Sequence, residues 1–323
     1  MAQLLSPLMQ APTLADLRAT HDAITSLIHR TPVMTNAYLN ELSGARLFFK
    51  CENFQKVGAF KMRGAASAAL RLTQEEKQRG LATHSSGNHA QAVARAAREL
   101  GVPSYIVMPE NAPASKRAAT LGYGAEIITC AATVESRETT LNEVVERTGA
   151  TFIHPFNDYN VIAGQATATL ELMDFLDFQL DVIIAPIGGG GLMSGTALAS
   201  RYLSPSTKVY GSEPKAVDDA WRSMQSGRIE VNTSTQTIAD GLRTNLGEKT
   251  FTILSRTLDD VFTVSEEAII RAMQLVWERM KIIIEPSSAV PLAAVLSHPD
   301  VFKGQTVGMI LTGGNVDLDK LPW

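Results

Sequence analysis

The feature that most constrains this chain is an alternation. Short β-branched or aromatic runs recur at 46–50, 104–108, 126–129, 151–154, 181–187, 208–211 and 307–311, with amphipathic stretches between them. Thr13 can cap a helix carrying Leu14, Leu17, Ile24, Leu27 and Ile28 on one side. Ser265 can cap another, with Glu266 and Glu267 in its first turn and Ile269, Met273, Val276 and Met280 inward. Strands alternating with helices predict an α/β fold whose twisted, mostly parallel sheets are covered by helices on both faces. A length of 323 residues suits one large or two moderate domains. One βα block runs from about 73 to 158, and the other is assembled from the flanking segments 1–72 and 159–323.

Composition narrows the partners. A net charge of −4 gives no basic excess, so neither nucleic acid nor an anionic membrane is an expected partner. No apolar run is long enough to span a bilayer, and residues 1–12 lack the charged start and apolar core of a signal peptide. Cys51 and Cys130 form no disulfide framework and no zinc spacing, which fits a reducing cytoplasm.

In parallel sheets a ligand sits beyond the carboxyl ends of the strands, so the loops that follow the runs carry the chemistry. After the apolar run 182–187 come Gly188, Gly189, Gly190 and Gly191, then a helix-like stretch from Leu192. Four glycines let successive N–H groups converge on one point at the positive end of a helix, which makes a phosphate cradle. A flexible turn would also use glycines; the position between a buried strand and a helix favours the cradle. The spacing is not G-x-G-x-x-G, because the last glycine would fall on Met193 or Ser194, and no P-loop lysine follows.

A second loop, Thr83-His-Ser-Ser-Gly-Asn-His89, opens an alanine-rich helix over 90–100. Hydroxyls, an amide and free N–H groups at a helix start suit a substrate carboxylate, more polar groups than an ordinary cap needs. His84 and His89 are five apart, a poor spacing for zinc on one helix face. A third loop, Thr312-Gly-Gly-Asn315, follows the run 307–311 and offers a neutral hydroxyl at a strand end.

These loops give a use to Lys61 in Val57-Gly-Ala-Phe-Lys-Met-Arg-Gly-Ala65. Alone it reads as a surface lysine with a buried stem. Walled by Phe60 and Met62, its amine would have a pKa lowered by desolvation and be nucleophilic toward aldehydes. A phosphate cradle, a carboxylate loop and a nucleophilic lysine together suggest pyridoxal phosphate held as a Schiff base. Separately, carboxylates six apart in Glu213-Pro-Lys-Ala-Val-Asp-Asp219 could hold a hard cation with waters and a backbone carbonyl, or form a solvated acidic loop.

The stretch 52–65, Ser-Ser-Gly-Asn-His, the four glycines and Thr-Gly-Gly-Asn, in that order, resemble the serine/threonine dehydratase family of fold-type II pyridoxal phosphate enzymes, whose fold is tryptophan-synthase-β-like. Within it the chain is most similar to the branch of serine racemase and 3-hydroxyaspartate dehydratase, through residues 83–89, 276–281 and 314–318. Ala90 stands where the racemase branch usually has glycine.

The resemblance implies that 1–72 and 159–323 form a large cofactor-binding domain and 73–158 a small substrate-loop domain. It implies Lys61 as cofactor anchor and base, Gly188, Gly189, Gly190 and Gly191 around the phosphate, and Phe60 beside the ring. Asn88 would meet the phenolic oxygen and Thr312 the pyridine nitrogen, while Ser85, Ser86, Asn88 and His89 would receive the substrate carboxylate. Ser86 matches the racemase branch's proton donor on the second face. Glu213, the Val217 carbonyl and Asp219 match that branch's divalent-metal site, with Mg2+ as the expected ion.

The expected function is therefore an ammonia-lyase turning L-serine, L-threonine or 3-hydroxyaspartate into keto acid and ammonia, with serine racemisation as a second or even principal activity. A cysteine-synthase-type β-replacement enzyme is the alternative on the same fold, although that family favours a threonine-rich loop at 85–89. A nicotinamide oxidoreductase is disfavoured by the missing fingerprint, and an amino-acid sensor would have little need of Lys61. A homodimer is expected. Arg137 could meet a second carboxylate such as that of hydroxyaspartate or be a solvated helix residue, and the solvated position is the one expected. No isoleucine-sensing domain is expected after the Thr312 loop.

Overall fold

The computed structural model describes residues 5–112 and 114–323. Ten strands form two sheets. β1 (Val33–Met34), β2 (Arg46–Cys51), β7 (Val182–Pro186), β8 (Lys208–Pro214), β9 (Asp260–Val264) and β10 (Thr306–Leu311) build a six-stranded sheet of order β1-β2-β10-β7-β8-β9. β3 (Leu81–His84), β4 (Ser104–Pro109), β5 (Glu126–Cys130) and β6 (Thr151–Phe152) build a four-stranded sheet of order β5-β4-β3-β6. Every pairing is parallel except the short antiparallel β1–β2 edge. The four-stranded sheet is made wholly from the central block, and the six-stranded one from both flanks, which is the α/β architecture expected.

The central strands of the larger sheet are apolar on both faces because helices cover both. Every residue of Val182–Pro186 and of Thr306–Leu311 is buried. One helix, Tyr159–Phe175, organises the packing that matters for the site. It crosses the helix Lys61–Leu70 and the helix Gly191–Leu203, so the amine and the glycine loop are held by a common support. Both crossings need glycine. A Cβ on Gly164 would lie 2.4 Å from the Arg63 carbonyl oxygen, and one on Gly195 would lie 2.6 Å from the Ala166 nitrogen. The backbones touch, and a methyl group at either position would force them apart.

The same region holds a fully buried charge network. Arg63 donates to Glu52 (2.7 and 2.8 Å), to Glu171 (2.8 and 2.9 Å) and to Thr167 (3.0 Å). Lys50 donates to Glu171 and to the Thr31 carbonyl, both at 2.6 Å. Burial alone would raise the Glu171 pKa, yet hydrogen bonds from His21 and Arg63 and the charges of Arg63 and Lys50 hold it well below the carboxylate range. The network pins β2, the Lys61 helix and the central helix to one another.

Candidate active site

Lys61 is presented by a short, strained loop. After β2 the chain turns through Val57 at φ 60° and Gly58 at φ 68°, a left-handed conformation that costs a β-branched residue of order 1–3 kcal/mol. The surroundings hold it there. Phe60 N donates to the Thr312 carbonyl (2.9 Å), Gly314 N to the Gly58 carbonyl (2.9 Å), and Asn315 Nδ2 to the Val57 carbonyl (2.7 Å). The lysine loop and the Thr312 loop are thus zipped together, and the helix starts at Lys61 itself. Its Nζ donates to the Pro155 carbonyl (2.8 Å) and lies 5.1 Å from the Phe60 ring centroid. Burial lowers its pKa to about 8, against the opposing charge of Glu285, so a substantial neutral fraction exists at mildly alkaline pH. Met62 is buried in the apolar cluster of Ile24, Ala65 and Val93, and the amine itself lies beside Phe60 and the Pro155 carbonyl.

The glycine loop follows β7, and none of its members has room for a side chain. A Cβ on Gly188 would lie 2.9 Å from the Gly241 carbonyl oxygen, on Gly189 2.3 Å from the Phe156 ring, on Gly190 2.8 Å from Leu246, and on Gly191 2.9 Å from the Phe156 Cβ. Among the described residues, the N–H groups of Gly188, Gly189 and Gly190 find no acceptor. Thr250 Oγ1 donates to the Gly189 carbonyl (2.9 Å) and fixes the loop's outer side. Three unengaged N–H groups at the start of the helix Gly191–Leu203, the positive end of its dipole, fit a phosphate dianion.

Pro155 and Phe156 join these two halves: one accepts from Lys61 Nζ, the next walls the glycines. His154 sets their turn, its Nδ1 accepting from Phe156 N (3.2 Å) and Asn157 N (2.9 Å). Burial, then the charges of His84 and Lys61, lower its pKa to about 4, so the ring is a neutral acceptor at ordinary pH.

The third side belongs to the start of the helix Asn88–Leu100 and the loop after β10. Asn88 Oδ1 accepts from Asn315 Nδ2 (2.8 Å), and Asn88 Nδ2 donates to both Glu285 oxygens (2.9 and 3.1 Å). The Thr312 hydroxyl is held by Ser288 Oγ (3.0 Å), which also bridges the Gly313 backbone. Ser85 accepts from Gly87 N (3.2 Å), and Ser86 is half-buried. The His89 ring turns inward: it is buried, with Nε2 on the Ile153 carbonyl at 2.9 Å. Its Nδ1 is buried and meets no partner among the described residues, and its backbone N–H opens the helix.

Glu213 and Asp219 form a separate buried pair. Glu213 accepts from Trp221 N (2.6 Å) and Ala220 N (3.3 Å); Asp219 accepts from Asn232 Nδ2 (2.7 Å) and Leu246 N (2.9 Å). Burial, then the charge of Asp219, raise the Glu213 pKa well above its ordinary value, and burial raises Asp219 to about 6. The adjacent Arg222 pairs with Asp218 at 2.7 Å instead. Val217 is buried between them in sequence, at the end of the one-turn helix Lys215–Val217. Among the described residues no three His, Cys, Asp or Glu side chains gather as a metal cluster, so any ion here would complete its shell with carbonyls and water.

Sequence reasoning missed His154, Phe156, Glu285 and the carbonyl of Pro155. Glu285 stands alone before a proline, 197 residues from Asn88, and no local pattern marks it.

A lysine of lowered pKa whose amine meets the Pro155 carbonyl, beside a glycine loop walled by Phe156 on a two-sheet α/β frame, fits a pyridoxal-phosphate-dependent enzyme. The chain belongs to that family: residues 24–313 match the family described as pyridoxal-phosphate dependent enzyme (PALP). More particularly, it is 48% identical to the beta-hydroxyaspartate dehydratase of Paracoccus denitrificans, over 98% of this chain and 100% of that one. It is 45% identical to the L-threo-3-hydroxyaspartate ammonia-lyase of Saccharomyces cerevisiae, over 97% and 96% of the two chains. Its fold is similar to the crystal structure of serine racemase from Dictyostelium discoideum, with a TM-score of 0.90 and 50% identity over 95% of this chain and 99% of that one.

Proposed function

We propose that this protein is a pyridoxal phosphate-dependent ammonia-lyase that converts 3-hydroxy amino acids to keto acid and ammonia, with serine racemisation as a second activity. The observation that carries the reading is the Lys61 amine resting on Pro155 while Phe156, the next residue, walls the glycine cradle. Gly188, Gly189, Gly190 and Gly191 would hold the cofactor phosphate, Phe60 would flank the ring, Asn88 would meet its phenolic oxygen and Thr312 its pyridine nitrogen. When bound, the cofactor supplies an electron sink that acidifies the substrate's Cα–H. Lys61 Nζ takes that proton, helped by its lowered pKa. Thr312 would offer the pyridine nitrogen a neutral hydroxyl rather than a carboxylate, which would suit elimination, the β-hydroxyl leaving as water with a proton from a nearby acid. Ser85, Ser86 and the N–H groups opening the helix at Asn88 and His89 receive the carboxylate. Ser86 also offers the hydroxyl that returns a proton on the opposite face in racemisation.

Among the substrates, 3-hydroxyaspartate is favoured by Arg137. It lies half-buried on the helix Val134–Thr148, its Nε meets no acceptor among the described residues, and its charge is felt by His84 at the head of the Ser85 loop. A guanidinium so placed suits a second carboxylate.

Glu213, Asp219 and the Val217 carbonyl would hold Mg2+ or a similar cation, supported by two buried carboxylates without a cationic partner. Residues 73–158 would act as a small domain moving its serine loop against 1–72 and 159–323. Exposed Phe54 and Ile283, the latter bonded through its carbonyl to Asn53 Nδ2 (3.1 Å) next to Phe54 in the chain, would support self-association as a homodimer. Two free, buried cysteines agree with a cytoplasmic setting, and no helix of the described residues is long and apolar enough to cross a membrane.

The test is a panel of D- and L-serine, L-threonine and the 3-hydroxyaspartate isomers, scoring keto acid and enantiomer separately. Ser86→Ala should suppress racemisation while L-serine elimination stays measurable. Arg137→Met should raise the KM for 3-hydroxyaspartate about tenfold, the loss of one charge-assisted pair, with serine little changed. Unchanged racemisation, or equal effects on both substrates, would overturn the respective assignment.

A further inference from the structure

The buried carboxyl of Glu285 lies at the site and takes no part in the reaction as described. Resting on the cofactor assignment above, we propose that Glu285 is a positioning residue: its ionised carboxylate clamps the Asn88 amide toward the cofactor, and uptake of a proton by the same carboxylate loosens the clamp.

The hydrogen-bond inventory carries the argument. An asparagine amide has two N–H donors and one acceptor oxygen. Here the oxygen is taken by Asn315 Nδ2 (2.8 Å), whose other donation, to the Val57 carbonyl (2.7 Å), anchors it to the strained loop before Lys61. One side of Asn88 Nδ2 is taken by the two Glu285 oxygens (2.9 and 3.1 Å). A single N–H is left over, and its direction is fixed by the other contacts. The reversed amide would set Oδ1 against two carboxylate oxygens and Nδ2 against the Asn315 donor, so the ionised carboxylate and Asn315 together allow one orientation.

Glu285 is itself held rigidly. Its own N–H donates to the Gly313 carbonyl (3.0 Å), one carboxylate oxygen accepts from Asn315 N (3.2 Å), and a Cβ on Gly313 would lie 3.0 Å from the other. The charged groups around it are few. Lys61 faces it from the head of its helix, Lys116 from the helix Ala114–Gly122, and Asp240 from the turn Asp240–Leu242. Lys116 and Asp240 are paired with each other (2.5 Å), which leaves Lys61 as the cation of that set with no carboxylate partner. Burial, then the charge of Asp240, raise the Glu285 pKa to about 7, so the carboxyl changes state within the working range of an enzyme. A neutral carboxyl is a weaker acceptor than a carboxylate, and its O–H competes with Asn315 for Asn88 Oδ1. The clamp is therefore on above about pH 7 and loosened below it.

The test uses the full chain and a probe that cannot condense with Lys61: 4-deoxypyridoxine 5′-phosphate keeps the phenolic oxygen and the phosphate but lacks the aldehyde. Its Kd is measured by equilibrium dialysis at pH 6 and pH 8 for wild type, Glu285→Gln, Asn88→Ala and the double variant. The probe's own phosphate titrates equally in all four, so only differences between proteins count. Wild type should gain about tenfold in affinity over Glu285→Gln between the two pH values, and Glu285→Gln should add less than about twofold in the Asn88→Ala background. The same pH profile in wild type and Glu285→Gln would overturn the proposal, as would an undiminished Glu285→Gln effect without Asn88. If Glu285→Gln does not fold, wild type against Asn88→Ala decides: loss of the extra pH dependence in Asn88→Ala supports the clamp, and its persistence refutes it. Failure of wild type to bind either the probe or pyridoxal phosphate would remove the cofactor assignment as well, an outcome distinct from tight binding without the pH difference.

Discussion

Two buried clusters of charge lie in this protein, and they are built on opposite plans. Around Arg63, two cations meet two carboxylates: Lys50 and Arg63 against Glu52 and Glu171, every contact between 2.6 and 2.9 Å. Around Glu213, two carboxylates meet only N–H donors, and the nearest arginine is committed to Asp218. The first is electrically closed and adds rigidity around the Lys61 helix. The second has no cation to offset its carboxyls, so burial favours their protonated forms, and a cation would be needed to close the charge once both ionise.

The difference is broken most severely by Glu171→Ala. It leaves Arg63 and Lys50 buried without their shared carboxylate and should cost about 3–5 kcal/mol in urea denaturation. A loss under about 1 kcal/mol would mean the network is not the brace described.

The acidic pair should behave in the opposite sense. Both folded pKa values stand above those of free carboxyls, so between about pH 4 and pH 6 for Asp219, and above the ordinary carboxyl range for Glu213, the folded state binds more protons than the unfolded. The cation-free protein therefore loses stability as pH rises through that window. A divalent cation needs the deprotonated pair, so Mg2+ should raise the melting temperature by several degrees at pH 8 and hardly at pH 5, with EDTA reversing it. Glu213→Gln should abolish the Mg2+ effect while shifting the cation-free stability at pH 8 by less than about 1 kcal/mol, because one repulsion and one weak acceptor leave together. An equal Mg2+ response in that variant would move the cation elsewhere.

At the lower end, Glu75→Ala removes an exposed i,i+4 pair with Arg79 (2.7 Å) and should change stability by well under 1 kcal/mol. It calibrates how much of the Glu171 effect is due to burial.

Most of the frame was legible in the sequence because both sheets follow β-branched runs, and the runs end in the loops that matter. Leu81–His84 was missed for a physical reason: Leu-Ala-Thr-His has little strand preference of its own and becomes a strand by pairing between β4 and β6. The expected run 151–154 is shorter in the structure, because the His154 ring accepts from the next two N–H groups and turns the chain. Lys61, the glycines and Thr312 announce themselves through unusual local composition. Glu285, Asn315 and the Arg63 network do not, since each acts through partners far away in the chain and looks ordinary among its neighbours.

The central claim is that the amine of Lys61 carries the cofactor whose phosphate the four glycines hold. Borohydride reduction of the protein loaded with pyridoxal phosphate, followed by digestion and peptide mass spectrometry, tests it directly. The account predicts one phosphopyridoxyl group per chain, on Lys61. A label on Lys249, the residue before the Thr250 that bonds the Gly189 carbonyl, or no label at all, would contradict it.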